Sequence, residues 1–561
     1  MRNFRTQARA WISASLVWAA CAVPSLVGAQ TTQLLWQQDL PTPALSKVVI
    51  ADLNGGQPEI IVTARWGFGA DLYVLNSAGG LIASVDGSPA VPWDVCVADI
   101  DGDGSRDVVV ATHSYAYAFN LATGFFTGSP WSTQPGDHPG GLTAGDLNGD
   151  GADEIVGNGG SLSKLWVYDT VAGTPRVPIQ NLPVQSNYTL FEWQSVAIAD
   201  LEFDGTKELI LVSSIDTPQT VGSFAPSDVY VLDGASLALR PGFPLTILEG
   251  WILGHAIAAD LDGDYRCELA GVGQSLVSFF RDDGTPFGLH VNTGLHQFAQ
   301  LAVGQLNADR HLEVVVPAGD ALRVARHRFA AGGGVLSQSA VAPHEFFRNA
   351  LIGDVDGDGQ GEIVAISREV SGTVDPHLHV FEADLTPVPG WPKRYADFAA
   401  TGATVDYGWE EVALADLNND GVVDIVTVID ARVLAWTLYS GPPVSPIRPD
   451  WPQRRNNATN NNYYHHDRPQ LSLFRRGDAN RDGAADISDA ISILSHLFLA
   501  ADLACVQAGD VDDSGSLNLQ DFSMFLGYLF GTTPIAPAPP FATCGAVLYD
   551  VSLPCPHAEC P

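Results

Sequence analysis

The sequence predicts a mainly β protein: a propeller of eight blades, or alternatively seven, followed by a small α-helical module on twin acidic loops. Three observations predict it. A nine-residue acidic loop recurs eight times between residues 52 and 424. Short β-prone runs flank each copy. A different, twelve-residue acidic loop occurs twice after residue 477.

The fullest copy is Asp99-Ile100-Asp101-Gly102-Asp103-Gly104-Ser105-Arg106-Asp107, with carboxylates at positions 1, 3, 5 and 9. Hard oxygen ligands at alternate positions of a tightly curled backbone suit a calcium ion, and glycine permits the curl because it tolerates positive φ. Copies begin at Asp52, Asp99, Asp146, Asp200, Asp260, Gln305, Asp354 and Asp416, with starts 45 to 62 residues apart. A repeat of that length means a propeller, a solenoid or an array.

Alignment of the copies on the first ligand position sharpens the pattern. The preceding residue is always small: Ala51, Ala98, Gly145, Ala199, Ala259, Gly304, Gly353 and Ala415. The second position is always apolar and the last, the ninth except in the shorter Asp52 copy, is always acidic: Glu59, Asp107, Glu154, Glu208, Glu268, Glu313, Glu362 and Asp424. A β-prone run precedes each loop, as at 95–98, and another follows, as at 108–111. A third run comes later in each unit, and a fourth, weaker one ends it. Four short strands per roughly 50 residues describe a propeller blade. The small residue fits the innermost strand of a blade, which crowds the central axis, so that bulk there is penalised.

Four loops keep the fullest ligand sets for calcium: Asp99, Asp101, Asp103 and Asp107; Asp146, Asn148, Asp150 and Glu154; Asp354, Asp356, Asp358 and Glu362; Asp416, Asn418, Asp420 and Asp424. The Asp200 and Asp260 loops keep their acids, but Phe203 and Tyr265 stand where glycine would ease the turn. The copy at Asp52 is one residue short, and Gln305 replaces an acid in another. Such degenerate copies also read as plain hairpin turns.

These units resemble FG-GAP repeats, the calcium-loop blades of integrin α-chain propellers and of many secreted bacterial proteins. The resemblance spans about 400 residues. It implies a closed propeller with calcium in the loop joining the first two strands of each blade.

Residues 1–29 read as a secretory signal peptide, with Arg2, Arg5 and Arg9, an apolar run over 10–26 and small residues before Gln30. The propeller spans 30–452, and 453–472, rich in Asn, Arg, Tyr and His, read as a linker. His465-His466-Asp467 there, and His377 with His379 on one strand face, are candidate transition-metal ligands that also read as ordinary polar and core residues. The net charge of −36, from 64 acidic against 28 basic residues, argues against nucleic acid as a partner. No segment after the signal reads as a membrane span.

At 473–533 the spacing changes. Asp478, Asn480, Asp482, Asp486 and Asp489 take positions 1, 3, 5, 9 and 12 of a loop with Gly483 at position 6. Thirty-two residues on, Asp510, Asp512, Ser514, Asn518 and Asp521 repeat the set around Gly515. This is EF-hand loop spacing with aspartate at position 12, and an amphipathic run follows each loop. Ile491, Leu494, Phe498, Phe522, Phe525 and Phe530 are expected to pack the two helices together. Twin loops each followed by a helix resemble a type I dockerin, the calcium-folded docking module of cellulosome enzymes. That resemblance implies a cohesin-like or other envelope or secreted protein as partner. Where the best-known dockerins carry a small polar pair at loop positions 10 and 11, this chain has Ile487-Ser488 and Leu519-Gln520. The Pro- and Cys-rich tail, 534–561, is expected to strap onto the module. With Cys505 it brings Cys544, Cys555 and Cys560, which allow three pairings.

No nucleophile elbow, zinc-protease helix or phosphate-binding glycine loop stands out, so no catalytic residue is assigned. The sequence therefore reads as a secreted or cell-surface, calcium-binding propeller that serves as a binding or adhesion platform. It would be tethered to a surface or scaffold partner through the C-terminal module. The alternative is a secreted carbohydrate-active enzyme, a polysaccharide lyase or hydrolase, with its site on the propeller. Trp93, Trp193, Trp251, Phe298, Phe347 and Trp409 precede loops by six to nine residues. They are candidates for a ring that stacks on a glycan or protein, or for wedges between blades.

Overall fold

The computed structural model describes residues 32–548 except 42–44, 65–71, 86–91, 113–114, 126–130, 133–138, 160–163, 170–173, 176–179, 182–187, 190–195, 216–226, 248–255, 263–265, 273–275, 288–290, 293–299, 308–310, 319–320, 329–332, 341–343, 370–375, 399–410, 430, 439–451, 454–455, 458–470, 500, 502, 513–516, 532–536, 538–540 and 542–544. The chain divides into two units, 1–464 and 465–561. No helix among the described residues is long and apolar enough to cross a membrane.

The first unit is a β-propeller, made of antiparallel sheets of four or five strands; eight such sheets fall among its described residues. The Asp99 sheet shows the plan. Strand Pro92–Ala98 leads into the loop, Asp107–Thr112 leaves it, Tyr115–Asn120 returns, and Trp131–Ser132 ends the path. Each acidic loop is thus the turn of a hairpin. Second strands such as Glu59–Ala64, Asp107–Thr112 and Asp424–Ile429 are buried along their whole length. That is why their sequences run apolar without alternation.

The core lies between successive sheets. Cys96, Ala98 and Val109 pack on Leu142, Ala144, Ile155 and Trp166 of the next sheet. At Gly145 the small residue before the loop has a local cause, since a Cβ there would lie 3.3 Å from Ile198 in the following sheet. Neighbouring loops also interlock through their backbones. Asp153 N–H donates to Asp99 O at 2.7 Å, Cys267 N–H to Leu201 O at 2.9 Å and Leu312 N–H to Leu261 O at 3.4 Å.

The first and last sheets meet at a seam built by both ends of the unit. The N-terminal strand Gln33–Asp39 is the outer strand of the last sheet, antiparallel to Arg432–Thr437. Its Trp36 packs on Gly79 of the first sheet and donates from Nε1 to Ser77 O at 3.0 Å. Lys47 and Glu411, both buried, pair across the seam at 2.7 Å. Gln453, the first residue of the expected linker, is itself part of the seam. It bridges Ala413, and its side chain accepts from Ile50 N–H at 3.0 Å and donates to Ile50 O at 3.3 Å.

Among its described residues the second unit holds three helices, α1 (Ile487–Leu499), α2 (Val506–Gly509) and α3 (Leu519–Leu529). Strand Leu471–Phe474, which begins inside the expected linker, pairs antiparallel with Gly545–Leu548 of the tail. Phe541 of the tail meets Tyr528 edge to face at 5.1 Å. The two loop–helix copies are related by a 32-residue offset that the packing respects. A Cβ on Gly477 would lie 2.9 Å from Phe525, and one on Gly509 would lie 3.3 Å from Ile493. Each loop's leading glycine therefore receives the helix of the other copy.

The expected helix packing needs correction. Ile491, Phe498 and Phe530 are exposed at 58%, 63% and 65%; Ala490, Ile493, Val511 and Phe525 form the buried contacts. Aspartate at position 12 sets the phase. Asp489 must turn into its loop, which places Ala490 and Ile493, not Ile491, on the inner face.

Candidate cation sites

Every nine-residue loop is pinned by its last acid. In all eight copies, the last carboxylate (position 9, or position 8 in the shorter Asp52 copy) accepts the backbone N–H of position 2, at 2.7 to 3.3 Å. This explains why position 9 stays acidic even where other ligands are lost. Position 1 winds the turn: Asp354 accepts from Gly357 N–H at 2.6 Å, Asp358 N–H at 3.1 Å and Gly359 N–H at 2.7 Å. Asp99, Asp146 and Asp416 do the same for their loops. Gly102, Gly149 and Gly357 at position 4, and Gly104, Gly151 and Gly359 at position 6, all have positive φ.

The winding gathers carboxylates. Oxygens of Asp99, Asp101 and Asp107 converge within 4.8 Å, as do those of Asp354, Asp356 and Glu362, and of Asp260, Asp262 and Glu268. Two oxygens each 2.3–2.6 Å from one calcium ion lie at most about 5 Å apart, so these sets are the right size. In the Asp146 loop the converging set is Asp150, Glu154 and Asp169, while Asn148 donates to Glu154 at 2.5 Å. In the Asp416 loop Asn418 donates to Asp420 at 3.0 Å, and buried Asp424 pins Leu417 N–H. Asp103 stays exposed, turned onto Ser105.

Asp169 was not legible as a loop residue, because it lies on the third strand. The signal was cross-strand register: Ile155, next to Glu154, pairs with Tyr168. The equivalent residue of the Asp99 sheet, Asn120, donates to Asp107 Oδ1 at 2.7 Å.

Burial makes these carboxylates reluctant anions. Desolvation, then the neighbouring acids, pushes Glu362 up to about 10 and Asp356 up to about 6. Burial likewise raises Asp107 to about 6, Asp424 to about 7 and Asp354 above its usual range. Glu362 Oε2 holds Val355 N–H at 2.8 Å, whereas its Oε1 is buried with no hydrogen-bond partner. A divalent cation would satisfy that oxygen and repay the desolvation.

The second unit gathers Asp478, Asp482 and Asp489 in the same way. Asp489 accepts from Asn480 N–H at 3.0 Å and Asp486 N–H at 2.9 Å. Asp521 repeats this on Asp512 N–H at 3.3 Å and Asn518 N–H at 2.9 Å. Asp478 Oδ1 is buried without a partner, and burial raises that group. Arg476, fully buried, donates to the backbone oxygens of Gln507 and Asp510, so one loop's entry braces the other's. Ser514 lies outside the described residues.

Of the other candidates, His379 is buried, bonded to Ser367 Oγ at 2.6 Å and stacked on Phe381 at 5.4 Å, the contacts of a core histidine. His465-His466-Asp467, and the aromatic side chains proposed as a ring, lie outside the described set. Cys96 and Cys267 are buried and form no disulfide. Cys505 is disulfide-bonded, to a partner outside the described residues.

The sheets and loops define the class as a propeller with acidic-loop repeats. The family model described as FG-GAP-like repeat matches residues 99–157, the stretch carrying the Asp99 and Asp146 loops. No curated protein matches the chain. Among solved structures, the chain is similar to the Dos1 propeller at 10% identity, with 74% of this chain and 97% of that one covered and a TM-score of 0.45. It is similar to the Vibrio cholerae (V. cholerae) biofilm matrix protein Bap1 at 14% identity, with 77% and 96% covered and a TM-score of 0.34. A third is BBS1N from its complex with ARL6DN, at 12% identity, with 64% and 95% covered and a TM-score of 0.37.

Proposed function

We propose that this is an exported, calcium-stabilised binding platform, its eight sheets forming eight blades, joined to a dockerin-like module that docks a cohesin-like secreted or envelope protein. One observation carries the calcium reading: Glu362, fully buried beside Asp354 and Asp356, with one carboxylate oxygen unpartnered. Three buried acids within 4.8 Å are a costly arrangement without a cation, and their oxygen-only chemistry favours calcium over a softer metal. Bound calcium would neutralise the set and hold the hairpin turn. Asp99, Asp101 and Asp107, and in the module Asp478, Asp482 and Asp489, would serve in the same way.

Docking is supported by apolar residues left exposed at equivalent places in the two loop–helix copies. Ile487 and Leu519 are 50% and 52% exposed, and Phe498 and Phe530 also face outward. Each pair is 32 residues apart. Apolar residues exposed at matching places in both copies would offer a partner the same kind of contact twice.

The test is calcium binding by the full chain, measured by equilibrium dialysis with metal analysis, beside thermal melting in calcium and in chelator. Several bound ions and a lower melting temperature in chelator are expected. Absence of bound calcium at millimolar concentration refutes the reading. Calcium-dependent capture of a purified cohesin domain, abolished in the Asp478→Ala/Asp510→Ala double variant, tests the docking claim.

A further inference from the structure

The Asp200 loop keeps four acids, Asp200, Glu202, Asp204 and Glu208, at positions 1, 3, 5 and 9. It is wound like the loops assigned to calcium. Gly205 at position 6 has φ +94°, beside +84°, +93° and +93° for Gly104, Gly151 and Gly359. Asp200 accepts from Asp204 N–H at 2.9 Å and Gly205 N–H at 2.8 Å. Position 4 is Phe203 at φ +56°, a conformation that costs a bulky residue energy. The loop therefore takes the metal-loop shape against its local preference.

What lies among its carboxylates is Arg240. The guanidinium bonds both oxygens of Glu202, with Nη1 to Oε2 at 2.8 Å, and Nη1 lies 3.2 Å from Glu208 Oε1. Arg240 comes from outside the loop, just after the third strand, Ser227–Asp233. Its own N–H is fixed to Val231 O at 2.9 Å. In the next sheet Arg281 approaches the same two positions, 3.6 Å from Asp262 and 3.8 Å from Glu268, while its guanidinium lies 4.7 Å over the Phe287 ring.

We propose that the Asp200 loop is a cation site whose cation is built into the chain. Arg240 bridges positions 3 and 9, as calcium would in the Asp99 and Asp354 loops, so this turn stays wound without metal. The inference rests on the calcium reading of those loops. A guanidinium is always charged and its fork matches a carboxylate bidentately, so it bridges two acids permanently where calcium does so only when present. Arg281, more loosely engaged, is a weaker version of the same device. The propeller then has two kinds of turn, one responsive to calcium and one indifferent to it.

Hydrogen exchange of the full chain, with and without calcium, tests this. Wild-type segment 200–208 is expected to exchange at the same rate in both conditions, while segment 354–362 exchanges about tenfold faster in chelator. Arg240→Gln is expected to make 200–208 fast in chelator and slow again in calcium, and to raise calcium stoichiometry by one ion. The inference is overturned if wild-type 200–208 follows 354–362 in losing protection, or if Arg240→Gln changes neither its exchange nor the stoichiometry. The first of these readings needs no variant. A wild-type 354–362 segment indifferent to calcium instead overturns the calcium reading, and this inference with it.

Discussion

Substitution of Glu362 by glutamine should change sign with calcium. In chelator at pH 8, the folded chain keeps Glu362 protonated, because burial and the charges of Asp356, Asp354 and Asp358 push it up to about 10. The unfolded chain ionises it near 4.5. A folded-state value raised in this way contributes stability that is intact below about pH 4.5 and is lost as pH rises towards 10. By pH 8 the difference amounts to at most about 5 kcal/mol, and local opening of the turn limits the observable loss to about 2 kcal/mol. Glutamine cannot ionise, and its carbonyl can still accept Val355 N–H, so Glu362→Gln should be about 2 kcal/mol more stable than wild type in chelator. If the proposed site binds calcium, a hundredfold excess over its dissociation constant should stabilise wild type by about 2.7 kcal/mol. The variant, missing a ligand, should lose most of that. Melting of both proteins at pH 8, in chelator and in calcium, reads the order of the two midpoints. The same order in both conditions refutes the argument, as does a destabilised variant in chelator.

Three further outcomes are expected. The metal-free protein should lose stability as pH rises from about 4 to about 7, because burial raises Asp107 and Asp356 to about 6 and Asp424 to about 7; melting midpoints against pH should flatten when calcium is added. Lys47→Met removes the cation that neutralises buried Glu411 and should cost about 3–5 kcal/mol in urea unfolding, most of it recovered by adding Glu411→Leu. Gly477→Val places a side chain against Phe525 at a position with φ +89° and should cost the second unit about 2–3 kcal/mol, seen as faster proteolysis within 471–548.

The loops and their sheets were the legible part, because tightly wound acidic turns impose residue type at fixed spacing. Position 9 shows why the alignment held even in degenerate copies. Glu59 and Glu313 still pin Leu53 and Leu306 N–H, so the acid has a role in the hairpin apart from any metal. What the spacing could not reveal came from elsewhere in the chain. Asp169, Asn120 and Arg240 reach the loops from the third strand or just after it, and Gln453 enters the seam from the far end of the unit. Helix phase in the second unit was hidden for another reason. Apolar residues occur nearly all round α1, so periodicity alone could not choose between Ile491 and Ile493 for the inner face.

The seam also sets an order of events in time. Strand Gln33–Asp39 waits for Arg432–Thr437, and Gln453 must arrive before Ile50 is satisfied. Joining chain ends about 400 residues apart costs about 5 kcal/mol of loop-closure entropy, and contacts so distant in sequence slow folding. During synthesis the first sheet therefore stands with its outer side open until nearly the whole unit has been made. A chain cut short before residue 453 cannot complete the seam, however well its individual sheets have formed.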